Sequence, residues 1–344
     1  MKIIDMNLKN NPYKVYIENG ILDKATEYIS KIYNKKNIYI VTDEHVGRLY
    51  LDKLTKILSQ KYFVKSVVVP EGEKSKSFEE YLRVITKLLE LNMRRNEMLV
   101  ALGGGVVGDL TGFVASTIYR GCPYCQIPTS LLAQMDSSIG GKTGIDFNER
   151  KNIIGSFKQP SLVLIDPLVL NTLDKRQFSN GMAELIKHAI IGNKDLFNKL
   201  LNNNTIDEEI IAMSLSVKQN VVLKDEFDTG DRMRLNFGHT FGHIIELERG
   251  ILHGEAISLG MLMALSFGEK LGITKKGIYD SVKRILNAYN LPCEEIDYKP
   301  YLLETLKDKK NLAGTINFIL IDEIGHSVIY SLQEEQLKEI YNGR

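Results

Sequence analysis

The segment that decides the fold is Leu99-Val-Ala-Leu-Gly-Gly-Gly-Val-Val-Gly-Asp109, in which four apolar residues lead directly into three glycines. Such a run is typical of a buried strand that turns tightly into a helix, and Gly103, Gly105 and Gly108 match a dinucleotide-binding turn. The free N–H groups and the positive dipole end of the helix would favour a pyrophosphate. A tight turn without a ligand would need the same glycines, so both interpretations stay open.

The sequence around this turn alternates between strand and helix patterns. Apolar, β-branched runs cover residues 37–42, 64–69, 98–102 and 161–165, and helical periodicity covers residues 78–91. After residue 166, long helical patterns follow at 177–191, 207–223 and 255–271, with a short hairpin pattern near the end. We therefore expect an α/β, Rossmann-like domain with a parallel sheet in residues 1–170 and a mainly α-helical metal-binding domain in residues 171–344.

Composition predicts a soluble globular enzyme. With 344 residues and 44% hydrophobic content, the chain can form the cores of two domains. The 44 basic and 43 acidic residues give a net charge of +1, so no overall field attracts nucleic acid or an anionic membrane. The N-terminus lacks the apolar core of a signal peptide, and no apolar run approaches the roughly 20 residues that span a membrane. Together with only three cysteines, this favours a cytoplasmic protein.

Three of the six histidines lie close together in the sequence, in Asn236-Phe-Gly-His-Thr-Phe-Gly-His243 and Leu252-His253-Gly-Glu255. Another histidine, His188, follows Glu184 and Lys187 on one predicted helix face. Imidazole and carboxylate suit a divalent metal such as zinc, and three protein ligands leave a coordination position for substrate. His188, His239, His243 and His253 are candidates for two or three ligand positions, and spacing alone does not choose among them.

Residues 129–157 are dense in glycine and polar side chains. Lys142 and Lys151, between glycines that allow a close backbone approach, would suit an oxyanion. The triplet Gly141-Lys-Thr143 is not a P-loop, because the first glycine of that motif would fall at Asp136. Residues 70–76 form a charged loop between a strand and a helix, which either closes over the cofactor or is simply solvated.

Two further features need an interpretation. No acidic residue follows the glycine turn at the distance expected for a ribose ligand, so Asp43 or Glu44, after an earlier strand, is the candidate. Cys122 and Cys125 have the spacing of a redox or zinc motif but lack a second pair, and we interpret them as structural.

Taken in order, these segments resemble the 3-dehydroquinate synthase family of sugar-phosphate cyclases over nearly the whole chain. The resemblance is carried by residues 103–112, Arg120-Gly121, residues 127–132, residues 135–144, Lys151-Asn152, Ala183-Glu184, Asn236-Phe-Gly-His239 and His253-Gly-Glu255. It implies a shikimate-pathway lyase with NAD and zinc or cobalt as cofactors, acting as a homodimer in which Arg120 reaches the neighbouring site.

The resemblance also implies roles for individual residues. The implied metal ligands are Glu184, His239 and His253. The implied NAD-binding residues are Glu71, Gly72, Glu73, Lys74, Ser75, Lys76, Gly105, Val106, Val107, Gly108, Asp109, Thr129 and Ser130, with Lys142 and Lys151 near the reacting end. The implied substrate-binding residues are Arg120, Asp136, Lys142, Asn152, Lys187, Lys218, Arg232, Asn236 and His243, together with Lys309 or Lys310.

The implied reaction converts 3-deoxy-D-arabino-heptulosonate 7-phosphate to 3-dehydroquinate and phosphate. A hydroxyl is oxidised by NAD, phosphate is eliminated, the hydride returns, and ring opening and an aldol step close the carbocycle without net redox. Two enzymatic alternatives are a cyclase whose sugar phosphate lacks a carboxylate and a metal-dependent polyol dehydrogenase. Arg232 and Lys218 argue against the first, because such a substrate gives the arginine no bidentate partner. The dense set of cations argues against the polyol dehydrogenase. A third alternative, a non-enzymatic binding module, would require the glycine turn and the histidines to coincide by chance.

Overall fold

The computed structural model describes residues 1–148, 150–202, 205–305 and 315–342, which divide into two compact units. The first comprises Met1–Asp174 and Ile206–Leu215, and the second comprises Lys175–Thr205 and the chain from Ser216 onward. This division differs from a single boundary at residue 170 in two places, because residues 171–174 and the short span 206–215 belong to the first unit. The span belongs to the first unit because Glu208 accepts hydrogen bonds from the Asn19 backbone and the Met1 amino group, at 2.8 and 2.6 Å.

The first unit is built on a largely parallel sheet. Its strands are β1 (Lys2–Met6), β2 (Tyr13–Ile17), β3 (Asn37–Asp43), β4 (Phe63–Val69), β5 (Met98–Gly103), β6 (Tyr124–Pro128), β7 (Lys142–Phe147), β8 (Arg150–Phe157) and β9 (Leu162–Ile165). Its helices are α1 (Ala25–Ser30), α2 (Glu44–Val46), α3 (Asp52–Leu58), α4 (Phe78–Glu90) and α5 (Gly105–Thr117). The sheet order is β1-β2-β9-β6-β5-β3-β4, in which all neighbouring pairs except β1 and β2 are parallel, and β7 and β8 form a separate antiparallel hairpin. The predicted Rossmann-like fold is confirmed.

The sheet is covered on both faces, as the continuous apolar runs predicted. In β3, Ile38 and Ile40 enter one buried cluster, whereas Tyr39 and Val41 enter the cluster on the opposite face. Successive side chains of a strand point to opposite faces, so a strand without polar positions needs cover on both sides.

The chain changes direction across the sheet between β3 and β5. From β3 it moves outward to β4, and it then returns to place β5 on the other side of β3, with Thr42 opposite Leu102. In open α/β sheets such a reversal leaves a crevice at the carboxyl ends of the two strands, where nucleotides bind. The glycine turn after β5 lies at this point.

The second unit is mainly helical, as predicted. Its helices are α6 (Lys175–Gly192), α7 (Lys194–Asn202), the part of α8 (Glu208–Lys224) that follows Leu215, α9 (His239–Arg249), α10 (His253–Lys270), α11 (Ile278–Ala288), α12 (Lys299–Thr305) and α13 (Glu334–Tyr341), with the hairpin β10 (Thr315–Glu323) and β11 (His326–Gln333). Phe241, Phe267 and Phe318 pack together, with ring centroids 5.1 to 6.4 Å apart. These aromatic contacts hold the hairpin against α9 and α10.

The cysteines of the first unit are buried in its core. Burial raises the pKa of the Cys122 thiol to about 12 and raises that of Cys125 as well, so both stay protonated at neutral pH. This burial agrees with a structural role. None of the helices in the described part of the chain is long and apolar enough to cross a lipid bilayer.

Candidate active-site residues in the two units

The predicted cofactor segments of the first unit leave neighbouring strands at one edge of the sheet. The loop 70–76 follows β4, Asp43 ends β3, Gly105–Asp109 follow β5, and Thr129 and Ser130 follow β6. Since β4, β3, β5 and β6 are adjacent and parallel, their carboxyl ends lie side by side. Four segments that are distant in the sequence thus border the crevice at the chain reversal.

The turn before α5 has the shape that an anion requires. Helix α5 has Gly104 as its N-cap and no side-chain cap there, so its first N–H groups face outward without a competing side chain. A Cβ on Gly104 would lie 3.3 Å from Ser130 Oγ, and a Cβ on Gly108 would lie 2.7 Å from Gln126 Oε1. The glycines therefore keep the turn open and bring the helix close to β6, as in a dinucleotide-binding turn.

The charged loop after β4 is held in place at its end. Lys76 is buried, its Nζ donates to Asp109 Oδ2 at 2.6 Å, and its carbonyl accepts from the Asp146 backbone at 2.7 Å. Glu71, Gly72, Glu73 and Lys74 remain exposed and Ser75 is buried. Both Lys76 and Ser75 are buried, so the loop is not solvated along its whole length. The contacts of Lys76 join the loop to α5 and β7, and Ser75 Oγ donates to the Pro70 carbonyl within the loop at 2.6 Å.

Asp43, the candidate for the ribose, lies at the end of β3 beside the turn. Its Oδ1 accepts from the backbone N–H of Val46 at 2.9 Å and so caps α2. One oxygen of the carboxylate is therefore engaged in the fold, whereas Glu44 is exposed in the first turn of α2.

The substrate candidates of the first unit lie on four separate elements. Arg120 is exposed with a left-handed backbone (φ 64°), and Asp136 lies in a single π-helical turn. Lys142 starts β7, and Lys151 and Asn152 lie on β8, all three exposed. Asn152 has φ 54°, and its N–H donates to Asp146 Oδ1 at 2.7 Å. Asp146 thus connects the residue pair 151–152 with the cofactor loop.

In the second unit, Glu184, His239 and His253 converge. Potential ligand atoms of these three residues lie within 4.8 Å of one another. His239 Nε2 and His253 Nε2 lie 3.6 and 3.5 Å from the same oxygen, Glu184 Oε1. Two ligands at about 2.1 Å from a tetrahedral zinc are about 3.4 Å apart, so both distances fit a shared metal ion.

The remaining atoms of these ligands are engaged elsewhere. His239 Nδ1 lies 3.1 Å from the Phe237 carbonyl, His253 Nδ1 lies 3.0 Å from Glu246 Oε2, and Lys187 Nζ contacts Glu184 Oε2. Each histidine therefore directs Nε2 toward Glu184 Oε1. This arrangement of second contacts is the usual one around a metal that is bound by histidine. The donor set fits a divalent cation with an open coordination position.

The electrostatics of the two histidines differ. Burial and the nearby charge of Lys187 hold the pKa of His239 well below its usual value, so its ring is neutral at pH 7. Burial alone would lower the pKa of His253 too, but its hydrogen bonds to Glu184 and Glu246 raise that pKa to about 9. A metal would displace this proton when it binds.

Close packing between α6 and α10 places His253 beside Glu184. A Cβ on Gly254 would lie 2.0 Å from the Asn180 carbonyl, and the Gly254 N–H donates to Asn180 Oδ1 at 2.5 Å. Arg176 also pairs with Glu255 through two hydrogen bonds of 2.6 and 2.9 Å. The two residues that follow His253 are thus bound to the helix that carries Glu184.

The other predicted residues of this unit differ in burial. Lys187, Lys218 and Arg232 are buried, and Asn236 and His243 are exposed. His188 is fully buried in α6 and does not belong to the group formed by Glu184, His239 and His253. Lys309 and Lys310 lie outside the described residues.

The sequence patterns did not predict several residues that have contacts at these sites. Asp225 accepts four hydrogen bonds, from Thr229, Gly230 and Arg232, at 2.7 to 3.2 Å. The other missed residues are Asp146, Asn180 and Glu246. Glu246 offered a signal, because it follows His239 by seven residues and His243 by three and so falls on the same helix face.

Comparison with known proteins identifies relatives for the whole chain. Residues 66–180 match the family model described as 3-dehydroquinate synthase N-terminal, and residues 181–311 match the one described as 3-dehydroquinate synthase C-terminal. The chain is 41% identical to a 3-dehydroquinate synthase from Clostridium botulinum (strain Alaska E43 / Type E3), over 98% of this chain and 100% of that protein.

Two solved structures are similar in fold. One is a 2-epi-5-epi-valiolone synthase from Streptomyces hygroscopicus subsp. jinggangensis 5008 with NAD+ and Zn2+ bound, with TM-score 0.84 and 26% identity over 98% of this chain and 97% of that one. The other is a 2-deoxy-scyllo-inosose synthase in complex with carbaglucose-6-phosphate, NAD+ and Co2+, with TM-score 0.86 and 22% identity over 99% and 100% of the two chains.

Proposed function

The chain belongs to the 3-dehydroquinate synthase family, and we propose that it converts 3-deoxy-D-arabino-heptulosonate 7-phosphate to 3-dehydroquinate and phosphate. It is a phosphate-eliminating carbon–oxygen lyase that uses NAD and a divalent metal. The convergence of Glu184, His239 and His253, with both Nε2 atoms directed at one carboxylate oxygen, is the observation that carries the proposal. The glycine turn before α5 supports the nucleotide part of the assignment.

The residues of the first unit suit the nucleotide. We propose that the α5 N-terminus, Thr129 and Ser130 hold the pyrophosphate, and that Asp43 binds the ribose through the oxygen that does not cap α2. The loop from Glu71 to Lys76 would close over it, since the ion pair of Lys76 with Asp109 already fixes the end of that loop beside the first turns of α5. We assign this role to a domain of residues 1–170.

The residues of the second unit suit the substrate. We assign metal and substrate binding to a domain of residues 171–344. When bound, NAD accepts a hydride from the substrate and returns it, and the metal acidifies the substrate hydroxyl. Glu184, His239 and His253 would hold the metal. Lys187, Lys218 and Arg232 are buried cations for the substrate's carboxylate and phosphate, and Arg232 in particular offers a planar fork to a carboxylate. Asn236 and His243 are exposed polar groups for the hydroxyls.

The reaction itself tests the proposal. The protein would be incubated with 3-deoxy-D-arabino-heptulosonate 7-phosphate, NAD and zinc, and phosphate, NADH absorbance and the carbocyclic product would be followed. We expect one phosphate and one 3-dehydroquinate per substrate, with no NADH accumulating. Turnover of a sugar phosphate without a carboxylate instead would assign the protein to another cyclase, and net NADH from a polyol would make it a dehydrogenase.

We also propose a homodimer. Phe147, Ile153 and Phe157 are 43 to 57% exposed on the β7–β8 hairpin, a concentration of apolar surface that a second copy would cover. Arg120, with its exposed side chain, would then be available to the neighbouring subunit. Light scattering after gel filtration should give a dimer for the native chain and a monomer for Ile153→Lys; a monomeric native chain would contradict the proposal.

A cytoplasmic location is part of the proposal. The three cysteines of the chain are unpaired, and a reducing compartment preserves free thiols. Fractionation of the source cells should recover the protein with the cytoplasmic enzymes.

A further inference from the structure

A carboxylate that the proposed ligand set leaves out contacts one of the ligands directly. Glu246 lies on α9, two helical turns after His239, and its Oε2 is 3.0 Å from Nδ1 of His253. The opposite ring nitrogen of His253, Nε2, lies 3.5 Å from Glu184 Oε1. The imidazole of His253 is therefore held at both ends, with one carboxylate at each nitrogen.

We propose that Glu246 is a positioning residue for the metal, which fixes the ring of His253 and directs its Nε2 lone pair toward the ion. The inference rests on the metal site in the proposed function. An acceptor at Nδ1 keeps the proton on that nitrogen, so the ring is in the tautomer that offers Nε2 to a metal.

His253 needs such a restraint more than the other ligands do. The side chain of His253 is 31% exposed, compared with 14% for His239 and 1% for Glu184. His253 is also the first residue of α10, where one side of the ring lacks the preceding helical turn. Packing therefore fixes its orientation least. The Glu246 carboxylate, 3.0 Å from Nδ1, supplies the missing restraint.

The hydrogen-bond acceptor at the other histidine ligand, His239, is a backbone group and not a side chain. Nδ1 of His239 faces the neutral carbonyl of Phe237 at 3.1 Å, which belongs to the backbone and cannot rotate away. The acceptor at His253 is a charged side chain from another helix. Removing this side chain therefore tests the restraint directly, without disturbing the backbone.

Glu246 could alternatively be a ligand itself. Potential ligand atoms of His243, Glu246 and His253 also lie within 4.8 Å of one another. The hydrogen bond between Glu246 and His253 favours the positioning role, because it occupies Nδ1 of His253 and one oxygen of Glu246. It leaves Nε2 of His253 for the group with Glu184 and His239.

The experiment measures zinc affinity of the metal-free protein by competition with a chromophoric chelator, in the absence of NAD and substrate. The variants are Glu246→Ala, which removes the acceptor, and Glu246→Gln, which keeps an acceptor oxygen without the charge. Glu248→Ala and Glu248→Gln are matched controls, since Glu248 lies on the same helix and its carboxylate accepts only from the exposed Tyr301 hydroxyl among the contacts described for it. Thermal unfolding of each metal-free variant monitors the fold.

We expect Glu246→Ala to bind zinc on the order of 10- to 100-fold more weakly than the native chain, still at one ion per chain. Glu246→Gln should recover part of the loss, and the Glu248 variants should stay within about twofold of the native affinity. Native affinity in Glu246→Ala, or an equal loss in Glu248→Ala, would overturn the proposal. A change in the visible spectrum of the Co2+ complex that indicates loss of a ligand would overturn it in favour of direct ligation. A native chain that binds no zinc would instead defeat the metal site of the proposed function.

Discussion

Lys76 and Asp109 form an ion pair, with Nζ 2.6 Å from Oδ2, that joins the end of the loop after β4 to the first turns of α5. Only 5% of the Lys76 side chain is exposed and 17% of that of Asp109. A cation buried to this extent depends on its partner, because water no longer solvates it.

Asp109→Ala should therefore destabilise the first unit. We expect a loss of about 3 kcal/mol in the free energy of unfolding, because the ammonium of Lys76 loses its carboxylate while it stays buried. Urea denaturation at pH 7 measures the loss, and Glu73→Ala, which removes an exposed carboxylate from the same loop, is the control. Equal stability of the two variants would refute the structural importance of the pair.

The pair also predicts a pH dependence. Burial alone would lower the pKa of Lys76, but the charge of Asp109 and their hydrogen bond raise it above 10.5. The contribution of a group whose pKa is higher in the folded state is complete below the ordinary value and is lost as the pH rises through the folded value. The stability difference between the native chain and Lys76→Met should thus shrink above pH 10.5, and a constant difference from pH 7 to 12 would exclude this contribution.

The zinc content of the protein should depend on Glu184 and His239 and should not depend on His326, which lies outside the proposed ligand set. Glu184→Gln and His239→Gln should each lose stoichiometric zinc, because each removes one of three ligands from a shared ion. His326→Gln is the matched control, since His326 is exposed and bonds to Asp322 far from the group in the sequence. Elemental analysis after dialysis measures the zinc. Full zinc in either site variant would eliminate that ligand.

Arg232 is predicted to bind the substrate's carboxylate. Arg232→Ala should cost about 2 to 5 kcal/mol in kcat/KM, because a desolvated anion loses its bidentate partner. Arg249→Ala, which removes an exposed arginine that pairs with Glu294, should leave kcat/KM unchanged. Near-normal turnover by Arg232→Ala would remove the residue from the substrate site.

Asp225 is predicted to hold the loop that presents Arg232. Its Oδ2 accepts from the backbone N–H groups of Gly230 and Arg232 at 2.7 and 3.0 Å, and the Arg232 side chain donates to the Glu226 carbonyl. Asp225→Ala should raise KM for the substrate by an amount equivalent to about 1 to 3 kcal/mol. The control is Asp228→Asn in the same loop. Asp228 has φ 58°, and asparagine tolerates this left-handed backbone conformation. A KM equal to that of the control would contradict the role.

Titration offers a second measurement on Asp225. Burial would raise the pKa of Asp225, but hydrogen bonds from Thr229, Arg232 and Gly230 lower it to about 2. A depressed pKa contributes stability above its ordinary value of 3.8, and that contribution is lost as the pH falls toward 2. The native chain should therefore lose its stability advantage over Asp225→Asn between pH 4 and 2.

Local sequence patterns predicted much of the fold because they reflect local physics. The runs at 37–42, 64–69 and 98–102 became β3, β4 and β5, since continuous β-branched and apolar residues form strands that are covered on both faces. The β7–β8 hairpin was missed, because its glycines had suggested only an anion site. Gly144 lies opposite Gly155, and a Cβ on Gly144 would lie 2.8 Å from the Ile154 carbonyl, so at least these two glycines allow close strand pairing.

By itself, the sequence determined the α/β and helical halves, the glycine turn and the supply of metal-binding side chains, because residue type and periodicity act over a few neighbouring residues. Only the tertiary structure brought Glu184 together with His239 and His253 and directed Nε2 of each histidine at one oxygen. The tertiary structure also placed the Glu246 carboxylate beside Nδ1 of His253 and the Asp225 carboxylate within hydrogen-bond distance of the Arg232 backbone N–H. These relationships depend on helix packing, as at Gly254 and Asn180, and on which hydrogen-bond partners remain once the chain has folded.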